Sequence, residues 1–339
     1  MLTVTVGHDD QLASLVAGPL PPDVRVVRWD LRGPLPDGVA AQDVDLVVVP
    51  HYLTGPDRLR ALDALPNLRV LQLPSAGYEH AVPYLPAGVA LCNGRGVHDA
   101  GTAELALALV LAAQRGIDQS VRDQGEHRWA PVLRSSLADR RVLVLGHGSV
   151  GRAVVRRLEV FEVEVLAVAS APRIEDGRQV HGIEQLPGLL PTVDVVIVIV
   201  PLTEQTHHLV DAAFLAAMPD GALLVNVARG KVVDTDALLA ELRTGRLRAA
   251  LDVTDPEPLP PEHPLWDAPG LLLTPHVGGF TDATTPRFAD LLRRQVAALA
   301  AGSEPVNLVL RGAGTGRSGG RGAPSGSDQR DPRRPGADG

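Results

Sequence analysis

The chain has 339 residues, of which 45% are hydrophobic and 21% are charged, as is usual for a folded protein of about two domains. Its net charge of −8 argues against nucleic acid or an anionic membrane surface as the main partner. Only one of its 32 basic residues is a lysine, Lys231. Because Val232 follows it, a phosphate-binding P-loop is excluded, and a single lysine argues against Schiff-base enzymes.

The single cysteine, Cys92, excludes an intrachain disulfide and a cysteine-rich zinc site, and we expect no metal. We predict that Cys92 is a buried, inert thiol at a strand end. The N-terminal segment MLTVTVGHDD lacks the basic and long apolar parts of a signal peptide. The longest apolar stretches reach about ten residues, too short to cross a bilayer. We therefore expect a cytoplasmic protein.

Short β-branched runs alternate with helical patterns from the N-terminus to about residue 95, which predicts an α/β unit. Helices are predicted over Gln11–Ala17 and Asp57–Leu65. The strands of this unit are predicted over Val4–Val6, Val24–Val27, Asp45–Val49, Leu68–Leu73 and Val89–Cys92.

The next predicted helix, Gly101–Arg115, is apolar on every side around its centre, Leu105–Ala113. Such a helix must be buried all round, yet it is too short to span a membrane. We therefore expect it at a domain junction or a subunit interface.

A second α/β unit follows, and its segment Val193–Val200 is almost entirely Val and Ile, as is typical of a parallel strand covered on both faces. Helices are predicted over Ser149–Phe161 and over Asp234–Leu242, with Asp234 as the N-cap. A last helix, Asp282–Ala301, could return the chain to the first unit. The other strands are predicted over Arg141–Leu145, Val163–Ala169, Ala222–Val227, Ala249–Val253 and Leu271–Thr274.

These elements divide the chain into a substrate domain, residues 1–96 and 283–311, and a dinucleotide-binding domain, residues 97–282. Residues 312–339 contain no large apolar side chain. A segment of that composition cannot bury enough apolar surface to order itself, so a disordered tail is predicted there.

The segment Gly146-His-Gly148-Ser149-Val150-Gly151 matches the glycine pattern of dinucleotide-binding sites. It directly follows a predicted strand and begins a helix, which is the context that such a site requires. The first glycine permits a tight turn, the second lets a pyrophosphate approach the backbone, and the third allows close packing of helix and strand. The helix N-terminus then supplies N–H groups to the phosphates. The histidine within the loop, His147, is expected to point to solvent.

A site for NAD usually has an acidic residue at the end of its second strand, which binds the ribose 2′-hydroxyl. Here that strand ends in Ala169 and Ser170, and Arg173 lies just beyond. Ser170 and Arg173 could together bind a 2′-phosphate. The sequence therefore predicts NADP as the preferred cofactor, with NAD as the alternative.

Three polar residues follow predicted strands of the second unit: Arg229, Glu257 and His276. Because ligands bind at the carboxyl ends of parallel strands, these side chains can converge on the nicotinamide. Arg229 can bind a carboxylate and a carbonyl through its planar guanidinium. His276 can deliver a proton, and a neighbouring Glu257 would orient the imidazole and favour its protonated form. This combination suits the reduction of a 2-keto acid.

With these residues the chain resembles a known family, the D-isomer-specific 2-hydroxyacid dehydrogenases, and in particular its glyoxylate and hydroxypyruvate reductases. The resemblance spans roughly residues 40 to 310. It is found in the segments Ser75–Tyr78, Cys92–Gly96, Thr102–Glu104, Gly146–Gly151, Pro201–Thr206, Asn226–Gly230, Leu251–Leu259 and Leu273–Gly279.

The resemblance implies an α/β fold of two doubly wound domains, a Rossmann domain inserted into a flavodoxin-like substrate domain, and a homodimer built partly on the helix from Gly101. It implies that Arg229 binds substrate, that His276 is the acid/base, and that Glu257 is its partner. Asp252 should face the nicotinamide carboxamide, and backbone N–H groups of Ala76 and Gly77 should receive the substrate carboxylate. The other cofactor-binding residues it implies are Ser149, Val150, Pro201, Thr206, Val227 and Gly278.

Two alternatives stay open at this stage. Formate- and phosphite-oxidising enzymes belong to the same family, although the formate enzymes have a glutamine in place of Glu257. A cofactor-sensing corepressor on the same fold would keep the triad, but the acidic chain argues against it. The particular 2-keto acid is not readable from the sequence, since it depends on first-unit side chains such as Tyr52, Leu53 and Tyr78.

Overall fold

A computed structural model of the chain describes residues 1–50 and 55–313. The specificity candidates Tyr52 and Leu53 and nearly all of the predicted tail therefore lie outside the described residues.

The helices of the described residues are α1 (Asp9–Val16), α2 (Pro56–Leu59), α3 (Asp99–Arg115), α4 (Ile117–Gly125), α5 (Ser149–Leu158), α6 (Leu186–Leu189), α7 (Ala212–Ala217), α8 (Thr235–Thr244) and α9 (Thr284–Ala300). The strands are β1 (Leu2–Val6), β2 (Val24–Arg28), β3 (Val44–Val48), β4 (Val70–Gln72), β5 (Ala90–Cys92), β6 (Arg141–Leu145), β7 (Glu164–Ala169), β8 (Arg173–Glu175), β9 (Arg178–Gly182), β10 (Val195–Val198), β11 (Leu223–Asn226), β12 (Arg248–Leu251), β13 (Leu271–Leu273) and β14 (Leu308–Arg311).

The first sheet has the order β14-β5-β4-β3-β1-β2, in which β1 to β5 are parallel and β14 is antiparallel. The parallel part has the strand order 2-1-3-4-5 of flavodoxin-like folds. A hydrophobic cluster covers each face: Val4 and Val48 pack with Phe288 and Leu292 of α9, and Leu71 packs on the other side. The last long helix thus returns the chain to the first unit, as predicted.

The second sheet has the order β13-β12-β11-β10-β6-β7-β9-β8. Its strand β6 lies between β7 and β10, so the chain winds in opposite directions from the centre, as in Rossmann folds. Alternate residues of the central strands enter separate clusters, such as Leu143 and Val196 on one face and Val144 and Ile197 on the other. The fold is therefore the predicted pair of doubly wound α/β sheets, with the second inserted into the first.

Helix α3 packs against α5 and against strands β11 and β12, and it buries Ala103, Ala106, Leu109 and Val110 there. Within one chain it is not buried all round, because Ala108 on another side is exposed. No single helix of the described residues is long and apolar enough to cross a bilayer, although α3 and α4 together reach that length and composition across a 66° bend.

The sequence did not predict helices α4, α6 and α7, the hairpin β8–β9, or strand β14. His207 and His208 lie in a turn. The turn forms because the Thr206 hydroxyl donates to the Pro201 carbonyl at 2.6 Å, and helix α7 begins only after Asp211 caps it. The N-cap role predicted for Asp234 is confirmed, since its carboxylate accepts from the Ala237 N–H at 3.0 Å.

Candidate active site

The glycine loop between β6 and α5 has the geometry of a phosphate cradle. Gly146 has φ +113°, and a Cβ there would lie 2.5 Å from the Ile199 carbonyl oxygen, so only glycine fits. A Cβ at Gly151 would collide with the Gly146 carbonyl, whereas Gly148 faces open space. The backbone at Gly148 is thus accessible at the N-terminus of α5, which fits a dinucleotide pyrophosphate.

The other predicted cofactor residues lie at the same edge of the second sheet. Ser149 begins α5 and donates to Asp99 at 3.1 Å, and Val150 is half-buried beside it. Thr206 closes the turn that follows β10 and Pro201. Val227 directly follows β11 and is buried. Their contacts with the cofactor stay predictions.

The end of β7 is covered by the hairpin β8–β9. Ser170 is exposed, and Arg173 lies on β8, where its Nε donates to Glu175 at 2.7 Å. Glu175 also pairs with Arg152 of α5, and its Oε1 lies 3.8 Å from His147 Nε2. His147 is only 8% exposed, so the expectation that it points to solvent is wrong, because the unpredicted hairpin covers it. Burial lowers the pKa of His147; the Glu175 carboxylate opposes this shift, and the charges of Arg152 and Arg173 add to it.

Asp252 shapes the loop that carries His276. Its side chain is buried, and it accepts from the Thr274 hydroxyl at 2.6 Å and from the N–H groups of Val277 and Gly278 at 2.9 Å each. The His276 N–H donates to the Asp252 carbonyl at 2.7 Å. These bonds hold His276 in a left-handed conformation, φ +53°, in which a non-glycine residue is uncommon. The role of Asp252 toward the carboxamide stays a prediction.

His276 and Glu257 form the predicted pair. The distance between His276 Nδ1 and Glu257 Oε1 is 2.5 Å, and about a third of each side chain is exposed. A carboxylate on Nδ1 fixes the ring orientation, so Nε2 is the ring nitrogen that can act on a reacting group. The pair therefore has the arrangement of an acid/base catalyst with an orienting partner.

Arg229 spans the cleft between the two sheets. It follows β11, and its Nε donates to Glu79 at 3.0 Å in the loop after β4. A second bond, from Nη1 to the Ala228 carbonyl at 2.7 Å, fixes the plane of the guanidinium. Burial alone would raise the pKa of Glu79, but the Arg229 charge and the hydrogen bonds outweigh it and lower that pKa below its usual range.

Gly77 makes room for this arginine, since a Cβ there would collide with Arg229 Nη2. No described residue accepts a hydrogen bond from the N–H of Ala76 or Gly77. Backbone donors without a protein acceptor, next to a guanidinium, form a site for an anion. The predicted carboxylate-binding loop and the predicted arginine thus lie side by side.

Arg229, Asp252 and His276 follow three adjacent parallel strands. Strands β11, β12 and β13 pair in register, with Asn226 opposite Leu251 and Leu251 opposite Leu273. The Asp252 N–H donates to the Asn226 carbonyl at 2.9 Å and so continues the ladder beyond the strands. The predicted catalytic residues thus follow the carboxyl ends of adjacent strands, where ligands bind in such folds.

Two residues of the site were not identified from the sequence: Glu79 and Arg152. Glu79 directly follows the segment Ser75–Tyr78, but only the fold shows that it pairs with an arginine 150 residues later. Within the described residues, no three His, Cys, Asp or Glu side chains cluster in a way that could hold a metal ion.

Comparison with known proteins supports this interpretation. Residues 107–278 match the family model described as D-isomer specific 2-hydroxyacid dehydrogenase, NAD binding domain. A glyoxylate reductase of Thermofilum pendens is 35% identical over 259 residues, 73% of this chain and 76% of that protein. The human glyoxylate reductase/hydroxypyruvate reductase is 32% identical over 278 residues, 77% of this chain and 84% of that protein.

Two solved structures share the fold. A D-isomer specific 2-hydroxyacid dehydrogenase from Xanthobacter autotrophicus, in complex with NADPH and MES, has a TM-score of 0.76 at 32% identity and covers 91% of this chain and 97% of that one. An NADPH-dependent glyoxylate/hydroxypyruvate reductase from Sinorhizobium meliloti, in complex with NADP and malonate, has a TM-score of 0.73 at 29% identity. The match covers 91% of this chain and 96% of that one. The chain therefore belongs to the D-isomer specific 2-hydroxyacid dehydrogenases, and it is an NAD(P)-dependent oxidoreductase of small 2-hydroxy and 2-keto acids.

Proposed function

We propose that the protein reduces a small 2-keto acid to the D-2-hydroxy acid, with His276 as the acid/base. The observation that carries this proposal is the His276–Glu257 hydrogen bond of 2.5 Å at the same sheet edge as Arg229. A nicotinamide bound at this edge supplies the hydride for the carbonyl carbon. The Glu257 carboxylate orients the imidazole through Nδ1, so His276 can give a proton from Nε2 to the carbonyl oxygen.

Substrate binding follows from the anion site of the first sheet. The substrate carboxylate accepts from the N–H groups of Ala76 and Gly77, which have no acceptor among the described residues. Arg229 Nη2 lies against Gly77 and can bind the same carboxylate or the adjacent carbonyl oxygen. A 2-keto acid offers both groups on neighbouring carbons.

The substrates to test first are glyoxylate and hydroxypyruvate, which appear in the names of the similar proteins. Purified protein is mixed with NADPH or NADH and a panel of 2-keto acids, and the loss of absorbance at 340 nm is followed. We expect turnover of at least one small 2-keto acid and, wherever the product has a stereocentre, as with hydroxypyruvate, formation of the D-isomer only. No turnover with the panel, or formation of the L-isomer, would overturn the proposal.

The cofactor preference is proposed to favour NADPH. No acid ends β7, and Ser170 and Arg173 can supply a hydroxyl and a guanidinium to the 2′-phosphate. One charge-assisted bond from a partly exposed arginine supports a preference of roughly ten- to a hundredfold. The test is kcat/KM for both cofactors in the native protein and in Arg173→Ala. A native preference for NADH, or full NADPH efficiency in the variant, would contradict it.

The active form is proposed to be a homodimer. Several apolar side chains on α4 and in residues 126–136 are exposed in the single chain, and so is part of α3. Apolar patches of this kind are typical of subunit interfaces. The cytoplasmic location and the absence of nucleic-acid and membrane partners stay predictions from the sequence.

The domain division is also proposed as predicted, with residues 1–96 and 283–311 in the substrate domain. It is supported by the return of α9 and β14 to the first sheet. On this division Arg229 and Glu79 belong to different domains, so the substrate site forms where the domains meet.

A further inference from the structure

Four side chains meet where a bound dinucleotide would place its adenine-side ribose, beyond the end of β7. Glu175 of the hairpin stands between Arg152 of α5 and Arg173 of β8, and each arginine donates its Nε to this one carboxylate. The fourth is His147 of the glycine loop, 3.8 Å from Glu175, and the His147 carbonyl accepts from Arg173 Nη2 at 3.4 Å. The hairpin thus brings an acid to a strand end that has none of its own.

We propose that Glu175 sets the cofactor selectivity of the enzyme: its carboxylate binds the ribose 2′-hydroxyl of NADH and competes with the 2′-phosphate of NADPH for Arg152 and Arg173. This inference rests on the proposed 2′-phosphate site at Arg173 and deepens it. It differs from the preference assigned to Arg173 because it names a residue that opposes that preference.

The charges of the cluster support the competition. Two guanidinium groups and one carboxylate leave one net positive charge to meet a phosphate that carries nearly two negative charges. Without the carboxylate the two arginines would balance the phosphate. Hydrogen bonds from Arg152 and Arg173 lower the pKa of Glu175 to about 2, so its negative charge is present throughout the working pH range.

The arginines remain available to a ligand. Their side chains keep 44% and 38% of their surface exposed, whereas Glu175 keeps 21%. Because Glu175 engages the Nε atoms, terminal nitrogens of both guanidinium groups can still donate to a phosphate. The Glu175 carboxylate and the 2′-phosphate of NADPH would then interact with the same two guanidinium groups.

If Glu175 had only a structural role, the expected effect of its replacement would be different. If the ion pairs only fasten the hairpin to α5, loss of the carboxylate would lower thermal stability and weaken every adenine nucleotide alike. Glu159 provides the matched control, since it forms an ion pair with Arg178 of the same hairpin. Its replacement loosens the hairpin without changing the Arg152–Glu175–Arg173 cluster.

The experiment measures the affinity of 2′,5′-ADP and 5′-AMP by calorimetry in the native protein, Glu175→Gln and Glu159→Gln. These ligands differ only at the 2′ position, and their binding does not depend on turnover. We expect Glu175→Gln to raise the ratio of 2′,5′-ADP to 5′-AMP affinity roughly threefold to tenfold, as suits one exposed charge. The ratio of NADPH to NADH efficiency should rise with it, and Glu159→Gln should leave both ratios unchanged.

The proposal would be overturned if Glu175→Gln changed the affinities of 2′,5′-ADP and 5′-AMP by the same factor and so left their ratio unchanged. The charge-conserving variant Glu175→Asp separates charge from stability, because it should keep a ratio close to the native one even if its melting temperature falls. Failure of this inference is distinct from failure of the proposed function. A chain that binds both nucleotides but reduces no 2-keto acid contradicts only the latter.

Discussion

Replacement of His276 by alanine removes the proposed proton donor and leaves the glycine loop untouched. We expect kcat to fall by roughly 10²–10⁴, the usual contribution of a general acid. The affinity for the dinucleotide, measured by fluorescence titration, should stay near the native value because Gly146–Gly151 holds the phosphates. The control is His8→Ala, which replaces an exposed histidine in the loop after strand β1. Near-normal turnover in His276→Ala would end the assignment.

Glu257→Gln tests the role of the partner. The glutamine can still accept a hydrogen bond from Nδ1 but carries no charge, so the charge-assisted bond that orients the His276 ring becomes an ordinary one. We expect kcat to fall roughly tenfold, as suits the difference between a charged and a neutral hydrogen bond. Steady-state kinetics with saturating cofactor measures the change. A native kcat in the variant would contradict this role of Glu257.

Arg229→Lys keeps the charge but loses the planar donor arrangement. Nε donates to Glu79 and Nη2 lies against Gly77, so the arginine holds a defined orientation across the cleft. A lysine cannot bind both Glu79 and the substrate in this way. We expect a higher KM for the 2-keto acid and a lower kcat, with little change in cofactor affinity. Arg311→Lys, whose ion pair with Glu304 is exposed, serves as the control.

At the scale of elements, the loop after β13 depends on one buried carboxylate. Asp252→Asn replaces an acceptor by an amide whose N–H would face the N–H of Val277 or Gly278. An unsatisfied buried donor costs about 1–3 kcal/mol, and the free energy of unfolding should fall by that amount. Urea denaturation measures it, with exposed Asp267→Asn as control. Equal stability of the two variants would show that the loop does not depend on the charge.

The prediction from sequence succeeded where the signal was local. The Val and Ile run around β10 and the glycine pattern at Gly146 each determine their structure within a few residues. The hairpin β8–β9 was missed because its strands are short and polar, and because its partners Arg152 and Glu159 belong to other elements. Helix α4 was missed because its apolar residues have no core to face within one chain.

The same reasoning applies to the site. Arg229, Glu257 and His276 were identified because each follows a strand in a parallel sheet, where position along the chain indicates position at the sheet edge. Glu79 was missed because it lies in a loop that follows a strand of the other sheet. A contact between two sheets depends on how they pack, and the pattern of each sheet alone does not contain that information.

At the scale of the whole molecule, α4 and residues 126–136 present an apolar surface that a single chain leaves open. Trp129 is 96% exposed and Leu133 is 99% exposed, which is unfavourable for such side chains in water. Because this surface adjoins α3, a second copy of the chain would cover it and the exposed side of α3 together. The proposed dimer would therefore bury the apolar side chains that the fold of one chain leaves exposed.

This surface leads to the last prediction, on the mass of the protein in solution. By light scattering after size exclusion, the native chain should have twice the 35.7 kDa mass of one chain. Leu133→Asp places a charge on the apolar surface, and burial of an unpaired charge would cost more than the interface can offset. We expect this variant to dissociate at micromolar concentration, whereas Val160→Asp, at a 78% exposed valine on another surface, should stay dimeric. A monomeric native protein, or a Leu133→Asp variant that stays dimeric, would contradict the assignment of this interface.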